Sequence, residues 1–163
     1  MSFVDLVHNS AYAAHIRQSQ YIYPLLQCVH ITGIGMFAGG LTLINLRLAG
    51  FGGAVPAVDF TRHAMRIAWL GLALIVLTGT NMAGSFMQVF AASTVMQAKL
   101  GVIVLALANA VIIQRGIAGG DMARWATSPP DAKAARKWAA LGITALLVII
   151  TLGKLLAYIG GKD

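Results

Sequence analysis

Apolar residues run along the chain in four long stretches, and charged residues interrupt them only near their ends. No Asp, Glu, Lys or Arg occurs between Arg17 and Arg47 or between Arg66 and Lys99, and two shorter apolar stretches follow. A transmembrane helix needs about 20 mainly apolar residues, and a Lys or Arg at one end extends a shorter stretch by snorkelling. The pattern therefore predicts four membrane spans, at residues 21–49, 60–90, 95–117 and 134–158.

The segment before the first span has a different pattern, with polar residues at intervals among apolar ones. Ser2 and Asp5 form a capping-box sequence ahead of an apolar pair, which predicts the start of a helix. His8 and His15 are seven residues apart, so one continuous helix would carry both on the same face. We expect a short amphipathic helix over about residues 3–18 that lies in the membrane interface, with the histidine face toward the protein.

Short connections between the four spans favour an up-and-down arrangement, because a short loop joins only neighbouring helix ends. The expected fold is therefore all-α: one integral membrane domain of residues 1–163, in which the interfacial segment 1–20 precedes a four-helix bundle. Gly35 and Gly39 form a Gly-x-x-x-Gly pair in the first span. This pair favours close packing of the first span against another helix.

Composition supports the membrane class and excludes several functions. The 163 residues are 58% apolar and 10% charged, with a mean hydropathy of +0.77, whereas about 25% of the residues in soluble domains are charged. All five acidic residues are aspartates in predicted loops or termini, so the spans offer no carboxylate for a proton or sodium relay. The single cysteine, Cys28, excludes an intrachain disulfide, a CxxC redox pair and covalent c-type haem attachment.

Basic residues are distributed unevenly between the two sides of the predicted bundle. The side of the span-connecting loops has eight of the twelve: Arg47, Arg62, Arg66, Arg115, Arg124, Lys133, Arg136 and Lys137. The positive-inside rule therefore predicts a bacterial cytoplasmic (inner) membrane protein with these loops inside and both termini on the outer, periplasmic side. The net charge of +7 suits anionic lipid headgroups rather than nucleic acid, since no basic run alternates with aromatic residues.

One histidine and three basic residues share the outer side of the predicted membrane. His30 lies roughly 13 Å below the outer boundary at 1.5 Å per residue, and Arg17, Lys99 and Lys154 belong to the same side. An anionic, metal-bearing ligand would account for both features. Haem b fits, because imidazole supplies an axial ligand, apolar helix faces cover the porphyrin and cations neutralise the propionates.

The predicted haem site has His30 as axial ligand and the three basic residues as propionate partners. His15, or otherwise His8, is the candidate for a second axial ligand. Each histidine also has a simpler interpretation: His30 as a core residue bonded to a carbonyl or hydroxyl group, and the other two as solvated or lipid-facing side chains.

Copper is the alternative metal. Met82, Met87 and Met96 are predicted at a similar depth to His30 and Cys28, and thioether, thiolate and imidazole groups suit Cu(I). A third possibility is a structural or assembly subunit without a cofactor. No nucleophile–base set or nucleotide motif is present, so no catalytic residue is predicted.

Six segments spread over nearly the whole chain resemble a family of small four-helix bacterial membrane proteins: residues 16–24, 29–33, 45–50, 78–79, 98–100 and 153–158. More remotely, a histidine early in the first span and a Lys-Leu pair opening the third are similar to the four-helix, haem-binding type of protoporphyrinogen oxidase and to CopD-like copper-resistance membrane domains. The resemblance to the oxidase implies a haem-ligand histidine at His30 and a functional lysine at Lys99. Such families often have a further histidine late in span three, where this chain has Asn109 and Gln114.

The function expected from these features is electron transfer by a b-type haem protein, or a role as small subunit of a membrane redox complex. The expected partners are the lipid bilayer and either a larger redox complex or further copies of the chain.

Overall fold

The structure is a computed structural model that describes residues 2–51, 57–118 and 129–159. The side chains of Lys99 and Lys154 lie outside the described part. Every regular element in the described ranges is an α-helix, which confirms the all-α prediction. The helices are α1 (Phe3–His8), α2 (Ala11–Gln18), α3 (Ile22–Ala49), α4 (Ala57–Ser85), α5 (Met87–Ala92), α6 (Thr94–Ala118) and α7 (Pro129–Ile159).

The N-terminal segment forms two helices where one continuous helix was predicted. The capping box is confirmed, because the Ser2 hydroxyl accepts from the Asp5 N–H and the Asp5 carboxylate accepts from the Ser2 N–H. Ser10 then caps α2 by accepting from the Ala13 N–H, and its extended backbone ends the first helix.

This break changes which face of α2 meets the protein. The buried residues of α2 are Ala13 and Ile16, whereas His15 is exposed and His8 of α1 is partly buried. The predicted common histidine face toward the protein is therefore wrong, because the two rings are no longer on one helix.

Three of the long helices, α3, α4 and α6, contain segments that are long and apolar enough to cross a membrane. The start of α3 matches the predicted span closely, but span two was predicted to reach residue 90, whereas α4 ends at Ser85. Phe86 has a non-helical backbone and α5 follows as a separate short helix. α7 begins earlier than predicted, at Pro129, because proline is well suited to the first turn of a helix.

Close packing of α3 on α4 depends on glycines other than the predicted pair. A Cβ added to Gly71 would lie 2.6 Å from Gly33 O, and one added to Gly40 would lie 2.8 Å from Ala64 O. Gly35 and Gly39 have no atom within 4 Å of such a Cβ, so the predicted Gly-x-x-x-Gly contact is wrong. The contacting pairs show that α3 and α4 are antiparallel, because residues late in α3 meet residues early in α4.

Helices α3 and α7 are in contact, α4 packs on α3, and α6 packs on α7, whereas α4 and α6 touch only slightly. The hydrophobic core includes Leu41, Ile44, Met65, Ala110, Ile113, Ala139 and Leu146.

We call the part of the helices level with residues 37–48 of α3 the closed half, and the part level with residues 22–36 the open half. In α3, seven residues are buried; Gly33 is the one in the open half.

Candidate functional site

His30 is held against α4 by a hydrogen bond to Thr78. The distance from His30 Nδ1 to Thr78 Oγ1 is 2.8 Å, and the Thr78 hydroxyl donates to Leu74 O at 2.6 Å. A hydroxyl has one proton to donate, so its oxygen accepts the Nδ1–H of the imidazole. The hydrogen-bond network therefore places a proton on Nδ1.

The ring is also seated by the glycine that follows Thr78. A Cβ added to Gly79 would lie 3.0 Å from His30 Cε1, so the absence of a side chain lets the imidazole lie close to the α4 backbone. Thr78 itself is 2% exposed. No role was predicted for these two residues, although a Thr-Gly pair within an apolar span is a visible sign that a neighbouring side chain approaches closely.

His30 belongs to a stripe of α3 that faces the interior of the helix assembly. Residues spaced three and four apart share a helix face, and in the closed half this stripe is buried at Phe37, Leu41, Ile44, Asn45 and Leu48. In the open half the same stripe continues through Ile34, which is 36% exposed, the partly buried His30 and the exposed Gln27. This stripe of α3 is therefore packed at one end and more accessible at the end that carries the histidine.

Helix α6 shows the same change along its length. Ala106, Ala110 and Ile113 are buried in the closed half. Val102 and Ile103, on the same face toward the open half, are only partly buried. Lys99 lies three residues before Val102 and four before Ile103, so the helical repeat places its position on the same face of α6.

Arg17 holds the N-terminal helices to the end of α4. Its Nη1 donates to His8 O at 2.8 Å and to Ser85 O at 2.6 Å, so one guanidinium group joins carbonyls at two helix ends. The Tyr12 hydroxyl adds a hydrogen bond to the Asn81 side chain. Helices α1, α2 and α5 thus form a cluster at the end of α4, beside the open half.

The other predicted histidine ligands belong to the N-terminal helices α1 and α2. His15 is exposed, and His8 Nδ1 is buried without a hydrogen-bond partner in the described part of the chain. Cys28 is exposed and two residues from His30, so the 100° helical step places it on the opposite side of α3. Among the described residues, no group of three or more His, Cys, Asp or Glu side chains could hold a metal ion.

The middle of the long helices has an apolar surface, and the exposed charged residues lie near the helix ends. Large side chains in the middle of the helices are exposed: Leu70, Leu77, Val104, Leu105, Leu147 and Ile150. Arg62 and Asp59 form an ion pair near the start of α4, at 3.4 Å with both side chains exposed. Such a surface is costly in water.

Comparison of the chain with family models, with curated proteins and with solved structures finds no match.

Proposed function

We propose that the chain is a multi-pass protein of a bacterial inner membrane, with both termini on the outer side. The exposed apolar side chains along α4, α6 and α7 support this, because the bilayer core is the solvent in which they are most stable. The excess of Lys and Arg at the α3–α4 and α6–α7 connections supports this orientation through the positive-inside rule. The open half then lies toward the outer surface.

We further propose that the open half binds haem b with His30 as axial ligand, and that the protein transfers electrons, alone or as a subunit of a membrane redox complex. The observation that carries this proposal is the position of His30 on the interior stripe of α3, at the level where that stripe becomes accessible. A bound porphyrin would cover the apolar faces that the open half leaves uncovered.

The residues around His30 suit an imidazole that binds a metal. Histidines that ligate metals usually donate their other ring N–H to a hydrogen-bond acceptor, which sets the tautomer and the ring orientation. Thr78 accepts from Nδ1 in this way, and Gly79 fixes how closely the ring approaches α4. When bound, the haem supplies the one-electron chemistry, and the chain positions it.

In this proposal, basic side chains neutralise the two haem propionates. Lys99 and Lys154 are assigned this role from their places in the sequence, together with Arg17. The Arg17 guanidinium already binds two carbonyls at the end of α4, and its remaining N–H groups are those that would serve a propionate. His15, or otherwise His8, remains the proposed second axial ligand.

The same hydrogen bond to Thr78 favours a second candidate function, that of an assembly subunit without a cofactor. A histidine bonded to a hydroxyl group across two antiparallel helices stabilises the pair by itself. Copper binding is less well supported, because Cys28 and His30 point away from each other across α3.

An absorption spectrum of detergent-purified protein from haem-replete cells tests these alternatives. We expect a Soret band that shifts on reduction, that is lost in His30→Ala, and that persists in His63→Ala. His63 is a matched control, since it is exposed near the start of α4 and its Nδ1 is bonded to Asp59 O. If His30→Ala is unstable, His30→Gly with added imidazole should recover the band.

Other results would select the alternatives. Absence of a Soret band, or an unchanged band in His30→Ala, contradicts haem ligation by His30. Stoichiometric copper without haem, lost on His30 substitution, would establish the copper function. An unchanged fold and partner binding in His30→Ala, with neither haem nor copper, would favour the assembly subunit.

A further inference from the structure

Two asparagine side chains lie against α7 in the closed half, one from α3 and one from α6. Asn45 is 0% exposed and Asn109 is 3% exposed. A Cβ added to Gly142 of α7 would lie 2.5 Å from Asn45 Nδ2 and 2.7 Å from Asn109 Nδ2. The two amides are therefore close to each other, and Gly142 provides the room for both.

Much of the hydrogen-bonding capacity of these amides is unused. Asn45 Nδ2, Asn45 Oδ1 and Asn109 Oδ1 are buried without a partner among the described residues. Buried polar atoms in folded proteins nearly always bind a protein group or an ordered water molecule. In the bilayer that the proposed function assigns to this chain, bulk solvent does not supply that partner, and a resident molecule would do so.

The chemistry of the unpartnered atoms limits what this molecule can be. A cation would meet the Nδ2 donors beside the oxygens, and an anion would meet the oxygens beside the donors. The surrounding core residues, among them Ala110, Ile113 and Leu146, are apolar and uncharged. The molecule must therefore be neutral, small, and able both to donate and to accept hydrogen bonds, and water meets these requirements.

We propose that an ordered water molecule bound by Asn45 and Asn109 beside Gly142 links α3, α6 and α7 in the closed half. One water bridges two polar groups that are too far apart for a direct hydrogen bond. The water joins α6 and α7 to the α3–α4 pair at the level where the interior is packed. Asn45 is about 22 Å along α3 from His30 at 1.5 Å per residue, so this site is independent of the haem proposal.

Water-edited solid-state NMR of the full chain in lipid bilayers tests the proposal. The sequence contains the asparagines Asn9, Asn45, Asn81 and Asn109, so labelling asparagine with ¹⁵N gives a small set of side-chain signals. We expect the Asn45 and Asn109 side-chain amides to receive polarisation from water at short mixing times. The exposed Asn9 is the positive control, and the helical backbone amides of Asn45 and Asn109 are the negative controls.

Substitution then tests whether one water serves both side chains. Asn109→Leu should remove its own signal and also abolish the rapid water transfer to Asn45, and Asn45→Leu should have the reciprocal effect. Side-chain amides that remain as slow as their own backbone amides would overturn the proposal, and this measurement on the unmodified chain does not depend on the stability of a variant. Unchanged transfer to Asn45 in Asn109→Leu would overturn the bridge.

Discussion

The glycine contacts between α3 and α4 give the most direct test of the fold. In Gly71→Ala, the new Cβ would lie 2.6 Å from both Gly33 O and Phe37 N, and 2.8 Å from Met36 Cβ. Two of these three atoms belong to the backbone of α3 and cannot rotate away. The substitution therefore has to move the two helices apart.

The expected cost follows from two opposing effects. Inserting a methyl group into a close-packed site costs typically about 1–3 kcal/mol, and separating two backbones places Gly71→Ala toward the upper end of that range. Replacing Gly by Ala in a helix gains about 1 kcal/mol. We expect Gly71→Ala to lower the free energy of unfolding by about 2 kcal/mol. Gly35→Ala and Gly39→Ala keep the helix gain without a clash, because nothing lies within 4 Å of either added Cβ.

Unfolding by SDS titration in mixed micelles, followed by tryptophan fluorescence, measures the difference. Trp69 of α4 packs against the core and should report separation of α3 from α4. Gly71→Ala should unfold at a lower SDS fraction than the parent protein, and the two control variants should unfold at the same or a higher fraction. The packing argument is refuted if Gly35→Ala destabilises as much as Gly71→Ala, or if Gly71→Ala unfolds like the parent.

Three further predictions follow from the described contacts. Thr78→Val should weaken haem binding by roughly 10–100-fold in a titration of the apoprotein, because it removes the acceptor that orients His30, whereas the exposed Thr80→Val should leave the affinity unchanged. Arg17→Gln should speed proteolysis of the N-terminal helices, since each hydrogen bond from its charged group contributes about 1.5–3 kcal/mol; equal cleavage rates would contradict this role. Hydrogen bonds, first from the Ser2 side chain, lower the pKa of Asp5. Ionised Asp5 therefore stabilises α1 fully at pH values above the ordinary aspartate pKa, and this stabilisation is lost as the pH falls through the lowered pKa of the folded state. Protection of the α1 amides from hydrogen exchange should fall over the same pH range, and Asp5→Asn should remove this pH dependence.

Hydropathy predicted where the long helices lie, because the length of an apolar stretch can be read from consecutive residues without knowledge of the tertiary structure. The start of α3 and the end of α6 follow the predicted spans closely. The end of α4 and the start of α7 were predicted less accurately. For α4 the reason is that a single non-helical residue, Phe86, ends the helix without changing the hydropathy. Ser10 had the same effect in the N-terminal segment, where its cap divides the predicted helix.

The sequence by itself determined the helical class and the apolar surface of the long helices, because each depends on the order of residues along one helix. Which glycines allow close packing depends on where two helices cross, so only the tertiary structure separated Gly71 from Gly35. The pairing of His30 with Thr78 was decided in the same way, as was the meeting of Asn45 with Asn109. These pairs join residues far apart in the chain, and no periodicity within one helix reveals which side chains a neighbouring helix will present.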